Sequence, residues 1–109
     1  MRRKPLESNF QKHVIDTLGG MLPGCLVLKN DSSYMQGVPD LLVLWKNRWA
    51  TLEVKRSIHE VCQPNQEYYI TLMNNMSFSA MICPENEQDV LHALHEAFRV
   101  GRLSRLSQC

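Results

Sequence analysis

The stretch GVPDLLVLWKNRWATLEVKR, residues 37 to 56, decides the fold of this chain. It contains two apolar runs, LLVLW and WATLEVK, which the polar residues KNR separate, and this pattern predicts a β-hairpin. Packing does not account for the charged residues that the hairpin carries. Asp40 stands at the entrance of the first strand, and Glu53 and Lys55 lie within the second.

The turn of this hairpin determines whether the two carboxylates share a face of the sheet. If Asn47 and Arg48 form a two-residue turn, Asp40 pairs with Lys55. Asp40 and Glu53 are then diagonal neighbours on one face, about 7 to 8 Å apart. A three-residue loop would send them to opposite faces, because side chains alternate along a strand. A shared site therefore requires an even-numbered loop or a bulge near Asp40.

Lys55 follows Glu53 by two residues, so their side chains project to the same side of the sheet. Two carboxylates and one ammonium group then converge. Mg²⁺ prefers hard oxygen ligands and is commonly held by one or two carboxylates, waters and substrate phosphate oxygens. The bound ion would make a water easier to deprotonate, and the lysine could orient that water or stabilise the reacting phosphate. The pattern predicts a site for phosphodiester hydrolysis.

A simpler interpretation of the same residues stays open at this point. Glu53 and Lys55 would be exposed residues on the polar face of an antiparallel hairpin, and Asp40 would cap its entrance. The separation of 13 residues between Asp40 and Glu53 favours the site, because a short hairpin needs this spacing to bring the two groups together.

The remaining elements are predicted from periodicity and from helix-ending residues. They are a helix over 5–18 ended by Gly19 and Gly20, a strand over 25–29, a helix from Pro64, a strand over 78–83, and a helix capped by Asn86 and ended by Gly101. The second helix lies between two strands and makes a crossover. We therefore expect an α/β fold in which helices flank a mixed sheet.

Composition predicts a single domain over residues 1–109 that lies in the cytoplasm. A chain of 109 residues supports one modest core, and neither a signal peptide nor an apolar run long enough to span a membrane is present. The four cysteines form no CxxC pair, which argues against zinc. The net charge of +1 gives no global argument for nucleic acid. Arginines near both ends could neutralise phosphates or simply be solvated.

GVPDLLVL, LEVKR and the glutamine of PNQEYYITL together resemble the virus-type replication-repair nuclease (VRR-NUC) domain, a branch of the PD-(D/E)XK nuclease superfamily. The resemblance covers about residues 5 to 98. It implies a restriction-endonuclease-like core and cleavage of DNA with Mg²⁺ or Mn²⁺. Asp40 and Glu53 would be metal ligands and Lys55 the catalytic lysine. Gln66 would orient the lysine or the water, and Glu7 would bind the metal directly or through water.

The resemblance also implies a substrate and an assembly. Small stand-alone members resemble Holliday-junction resolvases and act as homodimers, so branched DNA and a bacterial or phage-infected cell are expected. Two alternatives remain: a non-catalytic DNA-binding or assembly module that keeps the nuclease fold, and a metal-dependent hydrolase of nucleotides or RNA. Glu7 and Gln66 each have a structural alternative as well, because both residue types stabilise the first turn of a helix.

Overall fold

The computed structural model describes the backbone of residues 3–31 and 33–108, and the side chains of 9–31 and 33–99. Its elements follow the order that the sequence predicts, helix, three strands, helix, strand and helix. They are α1 Arg3–Met21, β1 Leu26–Lys29, β2 Leu41–Trp45, β3 Arg48–Val54, α2 Pro64–Met76, β4 Phe78–Ile82 and α3 Glu87–Gln108. Within this part of the chain, no helix combines the length and the apolar content that crossing a membrane requires.

The four strands form one mixed sheet in the order β1-β2-β3-β4. The first three strands are antiparallel to their neighbours, whereas β4 runs parallel to β3. A parallel pair needs a crossover connection, and α2 supplies it. The expectation of an α/β fold with helices around a mixed sheet is therefore confirmed.

Helices cover both faces of the sheet, and each face has a different character. The apolar core lies between one face and the helices α1 and α3, and its buried members are Val14, Leu18, Leu22, Leu41, Val43, Ala50, Leu52, Val54, Ile82, Leu91, Leu94 and Phe98. Helix α2 contributes no buried residue and packs on the other face, against β3 and β4. The side chains of β3 that point to α2 are at odd positions and include Thr51 and Glu53. Lys55, the residue after the strand, continues this alternation.

The first helix continues through both glycines that were expected to end it. It runs to Met21, and the buried Leu22 then donates its N–H to the carbonyl of Leu18 over 2.8 Å. Burial of two leucines one turn apart outweighs the cost of glycine in a helix, about 1 kcal/mol per residue. The left-handed residue that follows the helix is Gly24, with φ at 87°.

Substitution of Gly20 by alanine should increase the stability of the chain. A Cβ atom added there meets no other atom within 4 Å, so the variant gains helix propensity at no steric cost. We expect the free energy of unfolding to rise by about 0.5 to 1 kcal/mol, measured by urea denaturation. Gly19→Ala, which is equally unobstructed, should add a similar amount. A loss of stability in both variants would contradict this account of α1.

The third helix begins as the sequence predicts but ends later. Asn86 precedes it and accepts the N–H of Val90 over 2.9 Å, while its side-chain oxygen accepts the N–H of Cys83 over 2.8 Å. This amide therefore joins the end of β4 to the start of α3. Gly101 does not end the helix, which continues to Gln108. A lone glycine weakens a helix without stopping it when good helix formers surround it.

The hairpin turn lies one residue earlier than the assumed one. Lys46 and Asn47 form the turn, with Lys46 in the left-handed conformation at φ 57°, and Trp45 pairs with Arg48. A positive φ at the first turn position is typical of two-residue hairpins. Arg48 belongs to β3, where its Nε donates to the carbonyl of Phe98 over 2.6 Å. A contact with α3 thus helps to set this register.

The even-numbered loop is confirmed, and the register built on Asn47 and Arg48 is wrong. Leu41 pairs with Leu52, so the next pair of positions brings Asp40 opposite Glu53. Lys55, the expected partner of Asp40, lies two residues further along the chain. Because the shift is an even number of positions, Asp40 and Glu53 still share a face of the sheet.

Candidate active site

Four of the five residues singled out in the sequence meet at one end of the β2–β3 hairpin. Asp40 precedes β2, Glu53 lies in β3, Lys55 follows β3 directly, and Gln66 lies in the first turn of α2. All four are on the sheet face that α2 covers. The hairpin brings the three charged groups together, and α2 adds the amide.

The side-chain amide of Gln66 connects the carboxylate of Glu53 to the ammonium group of Lys55. Its Nε2 donates to Oε2 of Glu53 over 2.9 Å, and its Oε1 accepts from Nζ of Lys55, also over 2.9 Å. The same oxygen accepts the backbone N–H of Gln63 over 2.8 Å. These three bonds fix which end of the amide faces which partner. Gln66 therefore orients both charged side chains.

Glu53 and Lys55 are buried, with 4% and 5% of their surfaces exposed. Nζ of Lys55 lies 3.9 Å from Oε2 of Glu53 and 3.4 Å from the carbonyl oxygen of Val61, to which it donates. The alternative interpretation required these residues to be exposed on a polar face, and it is wrong. Burying an ion pair costs desolvation energy that the pair rarely recovers in full. Such an arrangement favours a functional role over a stabilising one.

Asp40 is half-buried, and its backbone and side chain are both held. Its Oδ2 accepts the N–H of Val54 over 3.0 Å, and its carbonyl accepts the N–H of Asn30 over 2.8 Å. Burial raises the pKa of Asp40 above its usual range. The bond from Val54 and the charge of Lys55 oppose this shift, while the charge of Glu60 adds to it. The fold thus holds this carboxyl where its charge is costly.

Gly37 permits the loop before β2 to approach the start of α2. It has φ at 96°, and a Cβ atom there would lie 2.5 Å from Cβ of Asn65. Two residues later Pro39 is fully buried. The Gly-x-Pro-Asp sequence therefore has a physical explanation: the glycine allows close approach of α2, the proline anchors the loop, and Asp40 is presented to β3.

Asn30 positions the site and was not singled out in the sequence. Its side-chain Nδ2 donates to the carbonyl of Pro39 over 2.8 Å, and its N–H donates to the carbonyl of Asp40. These bonds extend the pairing of β1 with β2 by one residue. The only sequence signal is an asparagine directly after a strand, which is also typical of ordinary turns.

Glu7 lies in α1, but its side chain is outside the part of the chain whose side chains the structure describes. Its role in metal binding stays a prediction. Within that part, no three His, Cys, Asp or Glu residues form a group that could hold a metal ion. The strand register places Asp40 opposite Glu53 across the hairpin.

The two carboxylates suit a magnesium or manganese ion. Both supply hard oxygen ligands, and Mg²⁺ commonly keeps several waters and needs only one or two carboxylates from the protein. The burial that raises the pKa of Asp40 is a cost that a bound cation would offset, because it favours the ionised form. Asp40 and Glu53 are the residues that would hold the ion.

Comparisons with known proteins add no assignment. No protein-family model matches the chain, and neither a curated protein nor a solved structure matches it significantly. The motif and the geometry of the site are therefore the only indications of function among the described residues.

Proposed function

We propose that this chain is a metal-dependent endonuclease that hydrolyses phosphodiester bonds in DNA, with a restriction-endonuclease-like core. The observation that carries the proposal is the buried connection from Glu53 through Gln66 to Lys55, with Asp40 opposite Glu53. A module that only binds DNA has no physical need for two carboxylates that repel phosphate. A carboxylate pair beside a fixed lysine suits hydrolysis of a phosphodiester.

Each residue of the site has a separate task in this mechanism. Asp40 and Glu53 would hold Mg²⁺ or Mn²⁺, and the bound ion would make a water easier to deprotonate and neutralise charge on the phosphate. Lys55 keeps its ammonium group next to that phosphate, where it orients the water or stabilises the added negative charge. Gln66 holds Lys55 in place and accepts no proton itself. The site is thereby preorganised before the substrate arrives.

Branched DNA and a homodimer complete the proposal. A symmetric dimer would supply two sites for two strands. An apolar patch on β1 and β2 supports the dimer, and it lies on the sheet face that also carries the site. Leu26 and Leu28 are 54% and 42% exposed there, beside Leu44 and Leu42. An edge strand with exposed leucines is prone to association.

Light scattering should give twice the mass of the chain, and Leu28→Lys should lower that mass.

Cleavage of a labelled four-way junction and of its linear duplex arms tests the function. The reactions contain Mg²⁺, Mn²⁺ or EDTA, with wild-type chain and with Lys55→Met. Metal-dependent cutting of the junction that the substitution removes would support a structure-selective nuclease. Binding without cutting in every metal would support the assembly module instead. In parallel reactions with RNA and with free nucleotides, cutting of these substrates in place of DNA would support the remaining alternative.

The metal requirement should depend on pH because of Asp40. Its raised pKa means that protons compete with the cation at a higher pH than for an ordinary aspartate. The Mg²⁺ concentration that gives half-maximal cleavage should therefore rise as the pH falls through that pKa. Circular dichroism at each pH would confirm that the chain stays folded. A constant half-maximal concentration down to about pH 4, the usual range of aspartate, would contradict this prediction.

Asp40→Asn should weaken metal binding without lowering the stability of the chain. The amide oxygen can still accept the N–H of Val54, and the substitution removes a charge whose burial is costly. A carboxyl group whose pKa is higher in the folded chain than in the unfolded chain stabilises the fold at a pH below the unfolded pKa. This contribution is lost as the pH rises through the folded pKa. At neutral pH the variant should be as stable as wild type or slightly more so, by thermal denaturation. Its cleavage should need at least about tenfold more Mg²⁺. Asp16→Asn, on the exposed face of α1, is the matched control.

A further inference from the structure

A cavity of about 310 Å³ lies beside the cluster formed by Asp40, Glu53, Lys55 and Gln66, between the loop that precedes β2 and the start of α2. It is lined by Gln36, Gly37, Gln63, Pro64, Asn65 and Gln66. Gln66 belongs both to this lining and to the connection between Glu53 and Lys55. A group held in the cavity would therefore lie next to the cluster.

The lining of this cavity is polar but carries no charge. Its side chains are mainly carboxamides, and those of Gln36 and Asn65 belong to exposed residues. A carboxamide presents a donor and an acceptor in one plane. Phosphate groups are bound chiefly by lysine, arginine and backbone N–H groups. No lysine or arginine is in this lining, and Pro64, at the start of α2, has no N–H to donate. The cavity thus suits a neutral group that offers donors and acceptors on one edge.

A nucleobase has these properties. Asparagine and glutamine pair with base edges through two hydrogen bonds, as they do with adenine. An aromatic side chain is also close in the chain, because Tyr34, which is 86% exposed, precedes Gln36 by two residues. Bases that are read on their edges outside a duplex commonly stack on such side chains. A paired base is less suited, since its pairing edge is occupied and its faces are stacked.

We propose that the cavity binds one unpaired nucleobase next to the phosphate that is cleaved, and that the chain selects DNA with an unpaired nucleotide at this position. The inference rests on the proposed function and gives its substrate class. Branched DNA provides such a nucleotide at flaps, gaps and open branch points. A continuous duplex would have to unpair and unstack a base first.

Binding of three labelled duplexes, measured by fluorescence anisotropy in EDTA, tests this proposal without requiring cleavage. One duplex carries a single bulged adenosine, one carries an abasic residue at the same position, and one is fully paired. The abasic duplex keeps the backbone and its flexibility and lacks only the base. We expect wild-type chain to bind the bulged adenosine about tenfold more tightly than the abasic residue.

The double variant Gln36→Ala/Asn65→Ala should reduce this preference towards one. Alanine at 65 keeps the Cβ atom that contacts Gly37, so the start of α2 is retained, as a melting curve would confirm. Asn75→Ala is the matched control, because Asn75 is an exposed amide on the same helix outside the cavity. It should keep the full preference.

The outcomes distinguish the base cavity from the nuclease proposal. Equal affinity of wild-type chain for the bulged and abasic duplexes would overturn the cavity, even if the chain cuts DNA. A preference that survives in the double variant would also overturn it, because the base would then be bound elsewhere. A preference that the double variant loses would support the cavity even if no metal gave cleavage, and in that case only the nuclease proposal would fail.

Discussion

Replacement of Lys55 by methionine is expected to reduce metal-dependent cleavage by about 10²- to 10³-fold. This is the usual loss when one preorganised electrostatic group is removed from a site. Methionine keeps much of the length and volume of the lysine side chain but supplies no charge and no donor. Gln66 then loses the bond to its Oε1 from Nζ, and the phosphate loses its cationic neighbour. Single-turnover cleavage at saturating DNA would measure the effect on the chemical step.

The same substitution should also destabilise the chain. It leaves Glu53, which is only 4% exposed, without the nearby charge of Lys55, and breaking a buried ion pair costs about 3 to 5 kcal/mol. Activity must therefore be measured at a temperature at which circular dichroism shows the variant to be folded. The double variant Glu53→Gln/Lys55→Met removes both charges and should recover part of the stability without recovering cleavage.

Lys46→Met is the matched control for the loss of a lysine. Lys46 is exposed on the hairpin turn, at the opposite end of β3 from Lys55, and it should leave cleavage within about twofold of wild type because surface substitutions away from the site have small effects. Equal cleavage by the Lys55 variant and wild type would remove this lysine from the mechanism. A loss of cleavage by Lys55→Met at a temperature at which the variant is folded would show that the effect is chemical.

The hairpin has one feature that the sequence predicts and one that it does not. Alternation of side chains requires only an even-numbered loop for Asp40 and Glu53 to share a face, and this was predicted. The position of the turn was not. It depends on Lys46 adopting a positive φ and on the contact of Arg48 with Phe98, 50 residues away in the chain. Local patterns carry no information about such a contact.

The burial of Glu53 and Lys55 could likewise not be predicted from the sequence pattern. Alternation places Glu53 and Lys55 on one face, but it does not show whether a helix covers that face. Helix α2 covers it, and Gln66 satisfies both charges at once. The resemblance to the VRR-NUC nucleases had already singled out Gln66. Asn30, which holds the loop at Pro39 and Asp40, belongs to no motif and could be found only from the structure.

Gly37→Ala is expected to have the second large effect, through the position of α2. The added Cβ atom would lie 2.5 Å from Cβ of Asn65 and 3.0 Å from its backbone carbonyl carbon. Neither atom belongs to the flexible end of a side chain, so the loop and the helix must separate. A left-handed conformation costs an alanine about 1 to 2 kcal/mol, and overpacking adds about 1 to 3 kcal/mol. We therefore expect a loss of about 2 to 5 kcal/mol in the free energy of unfolding, measured by urea denaturation.

The displacement should also lower the rate of cleavage, because Asn65 is the residue before Gln66. A shift of about 1 Å in a positioning group can cost about 10²-fold in rate, and a similar loss of cleavage is expected in folded Gly37→Ala. Gly24→Ala separates the two causes. Gly24 also has a positive φ, at 87°, but a Cβ atom there meets nothing within 4 Å. It should lose only the conformational part, about 1 to 2 kcal/mol, and keep its cleavage rate. Equal effects of the two substitutions on cleavage would mean that the approach of Gly37 to α2 does not position Gln66.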